Sequence, residues 1–318
     1  MLIARSSRGR GPGYFAPIES PTWVRADHAA AQMRPEDCVL GLVEEENAWA
    51  IPWWVIKNYH VANLVLGGRP VVVTLCEACA SAAAFSPVLD GRRHRFQLEG
   101  YYNTTPFMSD VETRTYWDIS TGEALHGPLV GTRLPRRALY QSRWQEWHTM
   151  HPGGWVVDGR SESRHGHGAM FANPDVRIVP PFVAATRLHV DDRLPDADLV
   201  LGVDLGPRGR AYPLVTLDHL GPVLHDTIDG TPVVILSRPS TWTAAAFSPD
   251  LDGRRLELRV TESGRIEDVE TGSEWAITGR SVSGTLAGRS LRFVPSGVEK
   301  WYAWSAKHPG TDLHASAQ

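Results

Sequence analysis

Residues 68–85 read Gly68-Arg-Pro-Val-Val-Val-Thr-Leu-Cys-Glu-Ala-Cys-Ala-Ser-Ala-Ala-Ala-Phe85, and residues 230–247 read Gly230-Thr-Pro-Val-Val-Ile-Leu-Ser-Arg-Pro-Ser-Thr-Trp-Thr-Ala-Ala-Ala-Phe247. In each, a β-branched run follows a Gly-x-Pro signal, which predicts a short buried strand. The likeness extends outward in both directions. Asp37-Cys-Val-Leu-Gly-Leu matches Asp198-Leu-Val-Leu-Gly-Val, and Leu89-Asp-Gly-Arg-Arg matches Leu251-Asp-Gly-Arg-Arg. Asp110-Val-Glu-Thr with Trp117 matches Asp268-Val-Glu-Thr with Trp275, and Trp144-x-x-Trp147-x-x-x-His151-Pro-Gly matches Trp301-x-x-Trp304-x-x-x-His308-Pro-Gly. Collinear blocks at a nearly constant offset make the chain two diverged copies of one unit.

Local signals set the kind of unit. Asp-Gly inside Leu-Asp-Gly-Arg-Arg marks a hairpin turn. His94–Glu99 and Leu256–Val260 alternate apolar and polar residues, as half-buried strands do. Trp144–Met150 has tryptophans three apart and stops at His-Pro-Gly, which predicts a short amphipathic helix. The fold expected is mainly β (α+β): two tandem, pseudo-symmetric barrel- or sandwich-like units, each with one or two short helices. The expected divisions are an N-terminal arm over 1–26, a first repeat over 27–157, a linker or excursion over 158–197, and a second repeat over 198–314.

Composition narrows the function classes. The 318 residues carry a net charge of −4 with both signs interspersed, so no basic stripe invites nucleic acid. Apolar runs such as Pro70–Leu75 are too short to span a bilayer, and the first residues lack the apolar core of a secretory signal. A cytoplasmic protein with no membrane partner is expected. Three cysteines, Cys38, Cys76 and Cys79, are too few for a disulfide framework. No Gly-x-Ser-x-Gly elbow, His-Glu-x-x-His or P-loop lysine is present.

Chemistry is expected at Cys76-Glu-Ala-Cys79. Two sulfurs three positions apart chelate one metal ion or close a small disulfide ring. The second copy has Arg238 and Thr241 at these places inside an otherwise similar stretch, so the unit folds without the thiols. His60, on the segment before this strand, is the candidate third ligand or proton carrier, and Met108 is a soft fourth ligand. Such a donor set favours copper ahead of zinc or iron, with a metal-free dithiol as the alternative. If Ala80–Ala84 continued as a helix, its N-terminus would favour thiolates, whereas Glu77 would oppose them. Tyr102 and Asn103 are candidates for lining a substrate pocket, against a reading as strand aromatics pairing across a sheet. Cys38 reads as a small buried apolar residue, and Glu44-Glu45-Glu46 as an exposed hairpin turn. His165 and His167 read as solvated linker residues, and Gly9–Gly13 lacks the strand and helix that a nucleotide loop needs.

Together these motifs resemble a bacterial family catalogued as "domain of unknown function 3179". The resemblance is carried by Gly67–Cys79, Tyr102-Asn103 and Thr121–Leu134, and covers both copies. Ile51-Pro52 stands where the family's pattern has Tyr-Pro. The resemblance implies that the functional pair is Cys76 and Cys79, with His60 as the preceding histidine. Some members carry selenocysteine at this pair, which implies a redox-active or strongly metal-binding site. The function expected is therefore a redox enzyme acting on a small molecule through Cys76, Cys79 and His60. The alternatives are a non-catalytic copper- or zinc-binding protein, or a structural cysteine pair.

Overall fold

The computed structural model describes residues 16–29, 31–162, 174–206 and 209–314. Contacts divide the chain into two units. The first runs to Asp198 and also takes in Glu299–Lys307; the second holds Leu199–Val298 and the residues from His308. Both are built mainly from short strands in separate open sheets. None of these sheets closes on itself among the described residues, so the barrel half of the expectation gives way to open sheets.

In the first unit, β1 (Cys38–Glu44) and β2 (Asn47–Pro52) form a hairpin within a five-stranded sheet. Its turn is Glu45-Glu46, as expected, but Glu44 is buried and paired with Arg137. A short helix, α1 (Trp53–Ile56), leads into β3 (Val61–Leu66), β4 (Arg69–Cys76) and β5 (Ser81–Phe85), an antiparallel sheet edged by Arg136–Arg137. Ser81–Ala84 is thus strand and not helix, and Ala80 belongs to the loop before it. Alanine's helix propensity is a weak preference, and here the hydrogen-bond ladder with β4 overrides it. Next come β6 (Phe96–Tyr102) and β7 (Thr105–Asp110), which continue as a meander through Tyr116–Asp118 and Ala124–His126. The helix α2 spans Trp144–Met150 and buries Trp144 and Trp147.

The helix Trp301–Lys307 completes this unit. Lys307 Nζ donates to Glu299 Oε2 at 2.7 Å and to Ser120 Oγ at 2.6 Å. Tyr302 and Ala303 join one apolar cluster with Cys76, Cys79, Tyr101, Met108 and Trp117.

The second unit uses the same local devices. Val223–Ile228, Thr231–Arg238 and Thr243–Phe247 pair antiparallel, edged by Phe293–Val294. Leu258–Val260, Ile266–Asp268, Glu274–Trp275 and Ser281–Ser283 form the meander. A third sheet pairs Leu199–Val203 with Arg210–Pro213, and that strand with Asp312–Leu313. One glycine shows how closely the two units correspond. Gly122 has φ +71° and a Cβ there would lie 2.6 Å from the Phe85 ring; Gly279 has φ +73° and the same clash, 2.5 Å, with Phe247. Both positions need glycine for conformation and for space.

Candidate functional site at the β4–β5 turn

The hairpin that carries Cys76 and Cys79 ends with Cys76 opposite Ser81, leaving Glu77–Ala80 as a four-residue loop. Cys76 and Cys79 are joined as a disulfide with Cα atoms 5.3 Å apart. Both residues are 0% exposed. The backbone around them is pinned from several sides. Cys79 N–H donates to Cys76 Sγ at 3.2 Å, Lys300 N–H to the Cys79 carbonyl at 2.8 Å, and Gln141 Nε2 to the Ala80 carbonyl at 3.1 Å. Cys79 Sγ rests 3.5 Å from the Thr104 carbonyl oxygen.

His60 lies where α1 passes into β3, at φ +62°. Its N–H donates to Ile56, and its carbonyl accepts from Leu75 N–H at 2.9 Å. Its Nδ1 is 2.9 Å from the Leu75 carbonyl oxygen and 3.2 Å from Glu77 Oε2. The carbonyl is the hydrogen-bond acceptor; the carboxylate contact is electrostatic. Both neighbours of Nδ1 are acceptors, so the proton belongs on Nδ1, and Nε2 is the basic nitrogen.

A further group that the sequence did not single out reaches this turn. Lys57, just after α1, is 6% exposed, and its Nζ has no hydrogen-bond partner within the protein. Burial pulls its ammonium below the ordinary lysine range, with the Glu77 carboxylate opposing. The Glu77 side chain is 20% exposed. Burial pushes the Tyr101 and Tyr302 hydroxyls well up, and the Glu77 charge pushes both further. Lys57, His60, Tyr101 and Tyr302 therefore all sense Glu77. A comparison of the two copies would have found Lys57, because Asp218 stands in its place.

Tyr102 and Asn103 sit at the tip of the β6–β7 hairpin. Asn103 and Thr104 are its two turn residues, at φ +44° and +75°, the type I′ pattern. Thr104 is β-branched, so this conformation is costly there. The Asn103 amide is engaged at both ends: Nδ2 donates to the Ala306 carbonyl at 2.8 Å, and Oδ1 accepts from Leu188 N–H at 3.0 Å. Thr104 N–H donates to Thr186 Oγ1 at 3.0 Å. The turn thus holds its own unit's chain in place over the disulfide. The matching hairpin of the second unit, Leu258–Val260 with Ile266–Asp268, is shorter.

Among the metal donors expected from sequence, Met108 is fully buried in the same cluster as both cysteines. Among the described residues, His94, Asp110 and Glu112 bring three potential ligand atoms within 4.8 Å of one another. With the sulfurs bonded to each other and His60 Nδ1 turned to Leu75, the donors in this form do not fit a metal ion.

The His94 group reads as a folding device. Asp110 accepts from Trp117 Nε1 at 2.9 Å, from the Thr113 hydroxyl at 2.8 Å and from Thr113 N–H, and contacts His94 Nδ1 at 3.2 Å. Asp268 accepts the same bonds from Trp275 and Thr271, with Leu256 in place of His94. Burial raises the Asp110 carboxyl, but these hydrogen bonds outweigh it and hold the group below the usual carboxylate range.

Cys38 is a free, buried cysteine whose thiol is pushed up by burial. His165, His167 and Gly9–Gly13 lie outside the described residues. Two shallow clefts, one beside Asn63, Arg93 and Glu112, the other beside Arg259 and Glu267, include neither Cys76 nor Cys79. No helix among the described residues is long and apolar enough to cross a membrane.

A family model described as "Protein of unknown function (DUF3179)" matches residues 14–311. The chain belongs to that family. No curated protein and no solved structure matches it. The family description names no reaction, so function rests on the site.

Proposed function

We propose that the protein is a thiol–disulfide redox enzyme that acts on a small molecule through Cys76 and Cys79. One observation carries this reading: a single hairpin geometry occurs twice, and the cysteine pair occurs in only one of them, together with Lys57, His60 and Glu77. A bridge needed only for folding gives no reason for that grouping. Both sulfurs are buried and the loop reaches solvent through Glu77, which suits a small reactant better than a folded protein.

The chemistry proposed is exchange. A substrate thiolate attacks one cysteine sulfur, the S–S bond breaks, and its electron pair leaves on the other sulfur. A second substrate thiol displaces the first as a substrate disulfide, leaving the protein pair reduced by two electrons. A disulfide of another small molecule reoxidises the pair by the reverse sequence. His60 is assigned to proton transfer through Nε2. The cytoplasm is the proposed compartment, since three cysteines suit thiol chemistry better than a disulfide framework.

Metal binding by the reduced pair is the second reading, catalytic or not, with copper ahead of zinc or iron. It is supported by the burial of Cys76, Cys79 and Met108 in one cluster, where a soft ion would find soft donors.

The test is thiol counting and metal analysis on anaerobically purified protein beside Cys76→Ser, Cys79→Ser and His60→Ala. Two thiols gained on reduction and lost on reoxidation, in wild type alone among the cysteine variants, are expected. Stoichiometric metal in the reduced protein, lost in all three variants, moves the assignment to the second reading. Wild type with neither reversible oxidation nor metal removes both.

A further inference from the structure

Buried polar atoms without hydrogen-bond partners within the protein gather at the Cys76–Cys79 turn. They include Lys57 Nζ, Ser81 Oγ, Thr104 Oγ1 and Tyr302 OH. Contacts place Ser81, Thr104 and Tyr302 beside the cysteine pair, and Lys57 lies three residues before His60, whose Nδ1 meets Glu77 Oε2 at 3.2 Å. Ser81 pairs with Cys76 across the hairpin, and the Thr104 carbonyl touches Cys79 Sγ. Tyr302 shares the apolar cluster of both cysteines, and Glu77 acts on both Lys57 and Tyr302.

Native proteins satisfy nearly all buried polar groups, and a buried ammonium without an acceptor is among the most costly exceptions. In the second copy Lys57 is replaced by Asp218, which is exposed. Ser81 is replaced there by Thr243, whose hydroxyl is paired with Thr241.

We propose that Lys57 Nζ and the hydroxyls of Tyr302 and Thr104 bind the carboxylate of a small thiol and so deliver its sulfur to the Cys76–Cys79 disulfide. Lys57 supplies the counter-charge, and the hydroxyls of Tyr302 and Thr104 donate hydrogen bonds. This rests on the thiol–disulfide reading above and adds the substrate class. Lys57 offers one positive charge to a carboxylate, whereas the nearby Glu77 charge disfavours a dianion such as phosphate. In the step itself, the acid's thiolate attacks one cysteine sulfur and the other leaves with the electron pair. A second molecule of the same thiol then releases the substrate disulfide. The two protons from the substrate thiols end on Cys76 and Cys79.

The experiment measures the rate at which 3-mercaptopropionate, 2-mercaptoethanol and cysteamine each reduce the disulfide of the full-length protein. Each rate is divided by the same thiol's rate on a small unstructured disulfide peptide, which removes differences in intrinsic reactivity. The expected order is acid, then neutral, then amine, with about tenfold between the ends, the size of one partly screened charge contact. Lys57→Met abolishes that order and Lys57→Arg keeps it, with thermal unfolding verifying that each variant is folded. Equal corrected rates in wild type overturn the proposal whether or not Lys57→Met folds. So does an unchanged order in a folded Lys57→Met. If no thiol reduces the native disulfide, the thiol–disulfide reading itself fails, a result distinct from equal rates.

Discussion

The β4–β5 hairpin of the first unit and the Thr231–Phe247 hairpin of the second pair residue for residue: Cys76 faces Ser81 as Arg238 faces Thr243. The loop residue before the second strand is left-handed in both, Ala80 at φ +56° and Trp242 at +59°. The backbone is the same, while the loop chemistry is entirely different. One loop is Cys-Glu-Ala-Cys with a buried lysine and histidine beside it; the other, Arg-Pro-Ser-Thr, forms a 3-10 turn. The contrast separates what the hairpin needs in order to fold from what has been added to it.

The strongest way to break this contrast is to remove a sulfur. Cys76→Ser or Cys79→Ser abolishes reversible oxidation completely, read as thiols gained on reduction. The fold remains, since Arg238 and Thr241 support the same hairpin. If either variant fails to fold, the twin hairpin is a poor guide to the first.

Next in size are the buried carboxylates that both units share. Asp110→Ala and Asp268→Ala each strand a Trp Nε1 donor and a threonine hydroxyl, at a cost of about 3 kcal/mol in urea unfolding. His94→Leu, which copies the second unit, costs under about 1 kcal/mol. A large loss in His94→Leu, or bound metal that it releases, would make the His94 cluster a site after all. The pH dependence follows from the depressed Asp110 carboxyl. Its stabilising bonds count fully above the unfolded value near about 3.9 and are lost as pH falls through the lower folded value. Acid unfolding of Asp110→Ala is accordingly less steep below about pH 4 than that of wild type.

Grafting tests the comparison in the other direction. Arg238→Cys with Thr241→Cys forms a second bridge on oxidation, because the register is already right. It raises stability by no more than about 2 kcal/mol, the loop-entropy value for so short a ring. It also shows no preference for acidic thiols, since Asp218 and Pro239 stand where Lys57 and Glu77 are. Equal preference at both bridges would mean that the hairpin, and not its neighbours, sets the reactivity.

The smallest expected effect is at the β6–β7 turn. Thr104→Gly suits φ +75° and stabilises the first unit by about 1 kcal/mol in thermal unfolding. A loss of stability there would mean that the Thr104 hydroxyl contributes more than the backbone conformation costs.

Much of the fold was legible because its signals are local. The Asp-Gly turns, the β-branched runs beginning near Val71 and Val233, and the Trp144–Met150 helix each lie within about ten residues. The Ala80–Ala84 stretch misled because alanines in isolation favour a helix, and only the partner strand makes Ala82–Ala84 β. At the candidate site, Cys76, Cys79 and His60 stand out in the sequence through spacing and order. Lys57 and Tyr302 do not, because burial and partnership depend on residues distant in the chain. Tyr302 lies in the C-terminal helix, and nothing in its own neighbourhood marks it as a companion of Cys76. The Asn103 amide is held by the backbone at Ala306 and Leu188, partners that lie far from it in the sequence.

The hydrogen bond from Lys300 to the Cys79 carbonyl has a consequence in time. Ribosomes make about 5–20 residues per second, so the chain that supplies Lys300, Tyr302 and Lys307 emerges on the order of ten seconds or more after Cys76 and Cys79. Until then the nascent thiols lack the helix that will bury them. Whatever must meet those sulfurs before they are enclosed, an oxidant or a metal ion, has its easiest opportunity while synthesis is still under way.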